Sequence, residues 1–484
     1  MTMRAARVRR AMAMAAGILV LPALSITGLG VPGAVAETDP SADALGPGQR
    51  VELTVEHTPA PARRAAKAGS FQVFPVPTSS AGLRRITTAP NGDMWFIETE
   101  KNKLGRITTS GAIDEFNLPY VTAGYTANDL DVDASGAVWV AYDYGTKVLR
   151  YHPLDAGPAT AWAVPTSLSI RSGPDAVWLA GSTAAPGIRR IVGSPVPEDP
   201  NSPDCDGALG RGRDGLMWCG QFDRLVQINA TGSGGVAYPL PADATYPYSV
   251  AAGPNGRIWF GRDDGGSWFT SPARGSVGWV GDNNQVGTIR TGDRTAPRSL
   301  VTGPDGNVWF TSVGAAKGIG HVNAAGVGAV VQVGNYEPTS LTYGADGAIW
   351  FTDEANNSIV RVGRENLWVT NVNVGANSQL APHAQPPVSA KKKLKADKKR
   401  KKAKLTVSCG SGLMACSGTV VVKAGKKKLA SGAYAVAVNS GGKVSLKLTK
   451  AARKVLQRSR SVKVTVVLTA ATGATTTRKA TLTR

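Results

Sequence analysis

The chain has 484 residues and a formal net charge of +21 at pH 7. That length excludes one ordinary domain of about 150 residues, although repeat architectures escape this scale because each unit packs mainly on its neighbours. The basicity is local: residues 391–484 hold 25 Lys and Arg against a single acid, Asp397, and the stretch 37–390 is mildly acidic.

Residues 1–36 read as an export signal. Arg4, Arg7, Arg9 and Arg10 give a basic start, an apolar stretch runs from about Ala11 to Leu29, and Ala34-Val35-Ala36 fits the small-x-small cleavage rule. Pro22 within the run and the cleavage signal behind it favour a signal peptide over a membrane anchor. The pair Arg9-Arg10 opens a twin-arginine pattern that the following residues do not complete, so the general export route is expected. No later apolar run approaches the ~20 residues needed to span a bilayer, and the protein is expected to be secreted, extracellular or associated with the cell envelope. Residues 37–70, rich in Ala, Pro and Arg, read as a flexible spacer with one short strand near Val51 to Val55.

A repeat then fills residues 71–375. Seven times a turn precedes a short apolar string with Trp: NGDMWF, SGAVWV, PDAVWL, DGLMWC, NGRIWF, DGNVWF and DGAIWF. The tryptophans are Trp95, Trp139, Trp178, Trp218, Trp259, Trp309 and Trp350, spaced 44, 39, 40, 41, 50 and 41 residues apart. A period near 42 with alternating apolar and polar residues predicts four-stranded blades and an all-β, seven-bladed β-propeller. In the first unit RITTAP, MWFIET, KLGRIT and IDEFNLP read as successive strands, with Asn91-Gly92 supplying the positive φ of a tight turn. The third unit lacks the turn glycine, at Asp175-Ala176. A Trp at one place in every blade is expected to pack between blades, burying ~150–250 Å² and contributing ~4–6 kcal/mol before entropy. Trp268 and Trp279 fall in the longest spacing, an insertion from Asp263 to Asn284 that reads either as a binding loop or as a loop packed on itself.

Residues 376–404 form a Pro- and Lys-rich segment, with ten cations in the fourteen residues KKKLKADKKRKKAK, and are expected to be a solvated linker. Residues 405–484 alternate again, and about six strands predict a small, basic, Ig-like β-sandwich, with one or two helical turns in TKAARKVLQR. Cys205, Cys219, Cys409 and Cys416 form two near pairs. In an exported chain disulfides are favoured over zinc, because neither pair has a local His to complete a zinc set. The cationic tail has three readings: a nonspecific spacer, retention at an anionic envelope surface, and nucleic-acid binding. Export and the lack of interleaved aromatics argue against the last.

The strings ITTAPNGDMWFIETEKNKLGRITTSGAIDEFNLP and LVTGPDGNVWFTS resemble the signature of the streptogramin B (virginiamycin B) lyase family, and the resemblance extends over all seven blades. It implies a propeller that opens a cyclic depsipeptide antibiotic at its ester bond by elimination with Mg2+. It also implies a site at the entry to blades six and seven. Where the family has Pro-His-x-Ile before blade six, this chain has PRSL, with Arg298 in the histidine position. Where the family has Glu-Pro-His-x-Ile, with the histidine as general base, this chain has EPTSL, which keeps Glu337 and places Thr339 at the base. The metal-linked Glu four residues after the blade-seven Trp is matched by Glu354, beside Asp353. Two carboxylates are kept and two histidines are lost. Proton removal α to a carbonyl needs a base with a pKa near working pH, which His supplies and Thr and Arg do not. Neither His321, in the Arg place of a third strand, nor His57, His152 or His383 lies at an inner-strand entry.

One rim of the channel is expected to carry the residues before each inner strand and those three or four after each Trp. These include Arg84, Asn128, Leu168, Gly207, Tyr248, Arg298 and Thr339. From the second set come Glu98, Asp143, Gln221, Arg262 and Asp263, together with Asp353 and Glu354. Glu337, Asp353 and Glu354 are the best trio for a divalent cation. Two classes of function follow: a lyase-like enzyme using carboxylates and a cation, or a non-catalytic propeller that binds a polysaccharide, peptide or envelope component. A monomer is expected, with a small peptide or glycan as ligand.

Overall fold

The computed structural model describes residues 48–59, 71–119, 126–143, 147–153, 158–164, 167–182, 185–195, 202–205, 207–221, 223–241, 247–262, 274–281, 284–363, 378–380, 388–410, 416–436, 440–470 and 475–484. The Trp repeat resolves into seven antiparallel sheets, each built from four strands in chain order from the channel outward, except in the last. Blade one runs Leu83–Thr88, Met94–Glu98, Lys103–Ile107 and Ile113–Asn117. Blade seven has Pro338–Tyr343, Ile349–Asp353 and Ser358–Val362. Its fourth strand is Gln72–Pro75, from ahead of blade one, in the register Gln72↔Arg361 to Pro75↔Ser358. Backbone hydrogen bonds therefore close the ring.

The sequence fixes the turns locally. Gly92, Gly136, Gly215, Gly306 and Gly347 hold φ between 73° and 90° after their inner strands, a region L side chains avoid. Blade three manages without glycine by a turn in which the Gly173 amide donates to the Ala176 carbonyl at 2.7 Å. The third-strand glycines Gly105, Gly278 and Gly320 have a different cause: a Cβ there would run into the rings of Phe96, Phe260 and Phe310.

The seven repeat tryptophans are buried, none more than 5% exposed. Each joins the core of the following blade: Trp95 with Val140, Trp218 with Phe260, Trp309 with Phe351, and Trp350 with Phe96 across the closure. The core thus lies between blades, as the repeat predicts. Turn carboxylates accept from three of the indoles: Asp133 from Trp139 at 2.8 Å, Asp305 from Trp309 at 3.2 Å and Asp346 from Trp350 at 3.1 Å.

Three expectations change. The spacer holds two strands rather than one, Gln49–Val51 and Val55–Thr58. They add fifth strands to blades two and one, and Leu53 packs on the core between those blades. An edge strand with unpaired backbone groups accepts any extended segment nearby, which a composition-based reading of a linker does not register.

The Lys-rich linker is likewise ordered. Val388–Ala396 and Lys402–Cys409 form the first hairpin of the C-terminal domain, which continues with Cys416–Ala424, Lys427–Val436, Gly441–Leu448, Ser461–Ala470 and Thr475–Thr483. Instead of two stacked open sheets, these seven strands form a closed barrel, because the last pairs in parallel with the first at Leu394↔Leu482. The helix Lys450–Arg458 is N-capped by Thr449, whose hydroxyl accepts the Ala452 amide at 3.2 Å. Disulfides join Cys205 to Cys219 and Cys409 to Cys416, with Cα separations of 5.9 and 5.6 Å. Among the described residues no helix is long and apolar enough to cross a membrane.

Candidate functional site at the channel rim

The inner strands are laced to one another at a single level. In five of the seven blades, the same inner-strand position offers a side-chain oxygen to the backbone amide of the next blade. Asp129 accepts from Ile170 at 3.1 Å, Ser169 from Leu209 at 3.3 Å, Ser249 from Leu300 at 2.8 Å, Ser299 from Leu341 at 3.0 Å, and Ser340 from Ile86 at 3.3 Å. The lacing breaks at blades one and four, where Arg85 and Ala208 hold the position. Arg85 instead places its guanidinium 3.6 Å from Asp129, and burial, reinforced by Arg171, lowers its pKa.

Directly outside this belt, on the side where the inner strands begin, a cavity of about 440 Å³ is lined by Arg84, Arg298, Lys317, Glu337, Thr339 and Glu354, with Ser312, Val313, Pro338 and Ala355. Five residues expected from the sequence therefore meet: Arg84, Arg298, Glu337, Thr339 and Glu354. Arg298 lies on a register shift of its strand, followed by Ser299 with φ 43°. Two hydrogen bonds of the Ser299 hydroxyl hold that left-handed conformation in place, one with Ser340 at 2.9 Å and one from Leu341. The Arg298 guanidinium lies 3.2 Å from the centroid of the Tyr248 ring.

Other expected rim residues turn inward. Glu98, Asp353 and Arg262 are at most 1% exposed. Asp353 accepts the Glu337 amide at 3.1 Å and the Asn356 side-chain amide at 2.7 Å, so it anchors the entry to blade seven. Arg262 donates to the Pro241 carbonyl at 3.1 Å. The Glu98 carboxyl has its pKa pushed up to about 8, first by burial and then by neighbouring Glu115. Asn128, Gly207 and Gln221 are half-buried and do not line the cavity. Asp263, Trp268 and the side chains of Asp143 and Leu168 lie outside the described residues, as does His383. Trp279 belongs to the blade-five strand Gly275–Val280, where it pairs with Trp259 and lies under Arg257 at 3.7 Å. His57 pairs with Asp114, and His321 packs 4.7 Å from Trp309.

Sequence reasoning missed Lys317, which ion-pairs with Glu337 at 2.5 Å. It sits in a loop between second and third strands, a place that rim accounting by inner strands does not cover. This pairing bears on the cation. Glu337 is engaged by Lys317 and Asp353 by two hydrogen bonds, so the trio does not converge on one ion. Among the described residues no group of three His, Cys, Asp or Glu is arranged to hold a metal. These residues, as placed, do not fit Mg2+.

Residues 261–381 match the model of the virginiamycin B lyase family. Among solved structures, a streptogramin B lyase superposes with a TM-score of 0.51 at 23% identity, covering 61% of this chain and 99% of that one. A catalytically inactive histidine-to-alanine variant of virginiamycin B lyase from Staphylococcus aureus, solved with quinupristin, gives 0.50 at 21%, covering 60% and 98%. A comparison with curated proteins finds no match. Every lining residue of the rim cavity except Arg84 lies in the matched stretch, which therefore carries the pattern of the virginiamycin B lyase family on a seven-bladed propeller.

Proposed function

We propose that the propeller is an extracellular binding module for a small, carboxylate-bearing peptide or glycan, and that it does not open streptogramin rings. The observation that carries this reading is the cavity lining. Arg84, Arg298 and Lys317 share the space with two acids, and the resemblance of the PRSL and EPTSL strings to the family's motifs implies that Arg298 and Thr339 stand where the family has its two histidines. The Arg298 guanidinium, stacked on the Tyr248 ring and donating to the Pro297 carbonyl at 3.4 Å, is a permanent cation at the cavity wall, of the kind that recognises a carboxylate. No imidazole lines the cavity and Glu337 is held by Lys317, which supports a binding role over general-base proton abstraction. The two disulfides support a location in an oxidising, extracytoplasmic compartment.

The test is calorimetric titration with N-acetyl dipeptides that end in a free carboxylate and with the same peptides capped as amides. Binding of the acid form alone is expected. Equal binding of both forms, or magnesium-dependent ring opening of a streptogramin B antibiotic followed by mass, would overturn the reading.

A further inference from the structure

The alternation of the C-terminal domain sends Val388, Ala390, Leu394 and Ala396 into the barrel core and the residues between them to solvent. A register shift between Ala390 and Leu394 interrupts the alternation, so Lys391, Lys392 and Lys393 are all exposed, followed by Lys395. On the next strand Lys402 and Lys404 are exposed, and on the one after it Lys443 and Lys447.

These three strands are neighbours. Lys395 stands directly opposite Lys404, and Lys402 opposite Lys447. Like charges placed opposite each other destabilise a sheet. Among the described residues no salt bridge is formed by these lysines, and the only acid of the domain, Asp397, accepts the turn amides of Lys401 and Lys402 at 2.7 and 3.0 Å, so one carboxylate faces the whole set.

We infer that this three-stranded face is a docking surface for a linear, hydrated phosphate polymer outside the cell. Three features select that partner. The cations are lysines on rigid strands, point charges that suit the dispersed charge of phosphate more than the planar geometry of carboxylate. They continue into the turn as Lys398, Lys399 and Lys401, so the charge runs along the strands as a stripe. The face carries no large exposed apolar side chain to enter a bilayer, since among the described residues of the barrel domain only Val455, on the helix, is of that kind.

The full chain is titrated with long-chain inorganic polyphosphate, with polyglutamate, and with vesicles of mixed zwitterionic and anionic lipid, each at low and physiological ionic strength. Polyphosphate is expected to bind most tightly and to weaken with salt. The variant K391Q/K393Q/K395Q/K404Q is expected to bind it about tenfold more weakly or worse, with a shallower salt dependence. The variant K423Q/K426Q/K427Q/K428Q removes the same charge from another hairpin and is expected to bind nearly as the parent does. Circular dichroism establishes that both variants fold. Equal weakening by the two variants, tighter binding to vesicles or polyglutamate, or no binding at all would overturn the inference.

Discussion

The guanidinium of Arg298 lies 3.2 Å from the centroid of the Tyr248 ring, joining the inner-strand entries of blades five and six above the channel. That stacking fixes the cation at the cavity wall. Arg298→Ala is expected to abolish measurable binding of a carboxylate-ended peptide, and Tyr248→Leu to weaken it by about 1 kcal/mol through loss of the cation–π contact. Titration calorimetry of both variants checks this. Unchanged affinity in Arg298→Ala would move the ligand elsewhere.

The belt of side-chain oxygens predicts where the ring is sensitive. Ser340→Ala leaves the buried Ile86 amide without its acceptor and removes the partner of Ser299, so it is expected to cost about 1–3 kcal/mol in denaturant unfolding. Ala208→Ser places a hydroxyl where the belt is broken, and is expected to be neutral or stabilising. A Ser340→Ala protein as stable as the parent would show that the belt does not hold the blades.

Glu98 sets a pH dependence. Its carboxyl is buried beside Glu115, and its pKa is raised to about 8. The folded state therefore holds a proton that the unfolded chain releases near the ordinary carboxylate pKa. This contribution to stability is fully present below that value, declines as pH rises, and is lost through pH 8. The decline is about 1.4 kcal/mol per pH unit within the window. Glu98→Gln is expected to remove this decline and to melt higher than the parent at pH 9. Parallel melting curves for the two proteins between pH 5 and 9 would refute it.

Reduction should be felt first in blade four. Its inner strand, Leu209–Arg211, has only three residues, and the bond from Cys205 to Cys219 spans the hairpin that carries it. Closing a loop of this size is worth roughly 3 kcal/mol by the chain-entropy account. The double variant Cys205→Ser/Cys219→Ser is expected to lose about that much and to show faster amide exchange in residues 207–221. Exchange rising equally in all blades would contradict a local role.

Periodicity determined much of this protein. A Trp every 40 or so residues, glycine turns and alternating strands specify propeller blades, because those signals are local to each hairpin. Arg298, Thr339 and Glu354 are legible as neighbours because strand entries on one rim follow directly from that topology, and Glu337 is legible through the resemblance of EPTSL to the family's motif. Tertiary structure decided what depends on partners distant in sequence. Lys317 found Glu337 through a loop, and Asp353 turned from a ligand candidate into an anchor once the Glu337 amide and Asn356 claimed its oxygens. Val55–Thr58 became a fifth strand because blade one offered an unpaired edge. The lysine run reads as a repelling linker when only its own charges are counted. It folds as a strand because Leu394 and Ala396 bury in a core completed by strands up to ninety residues away.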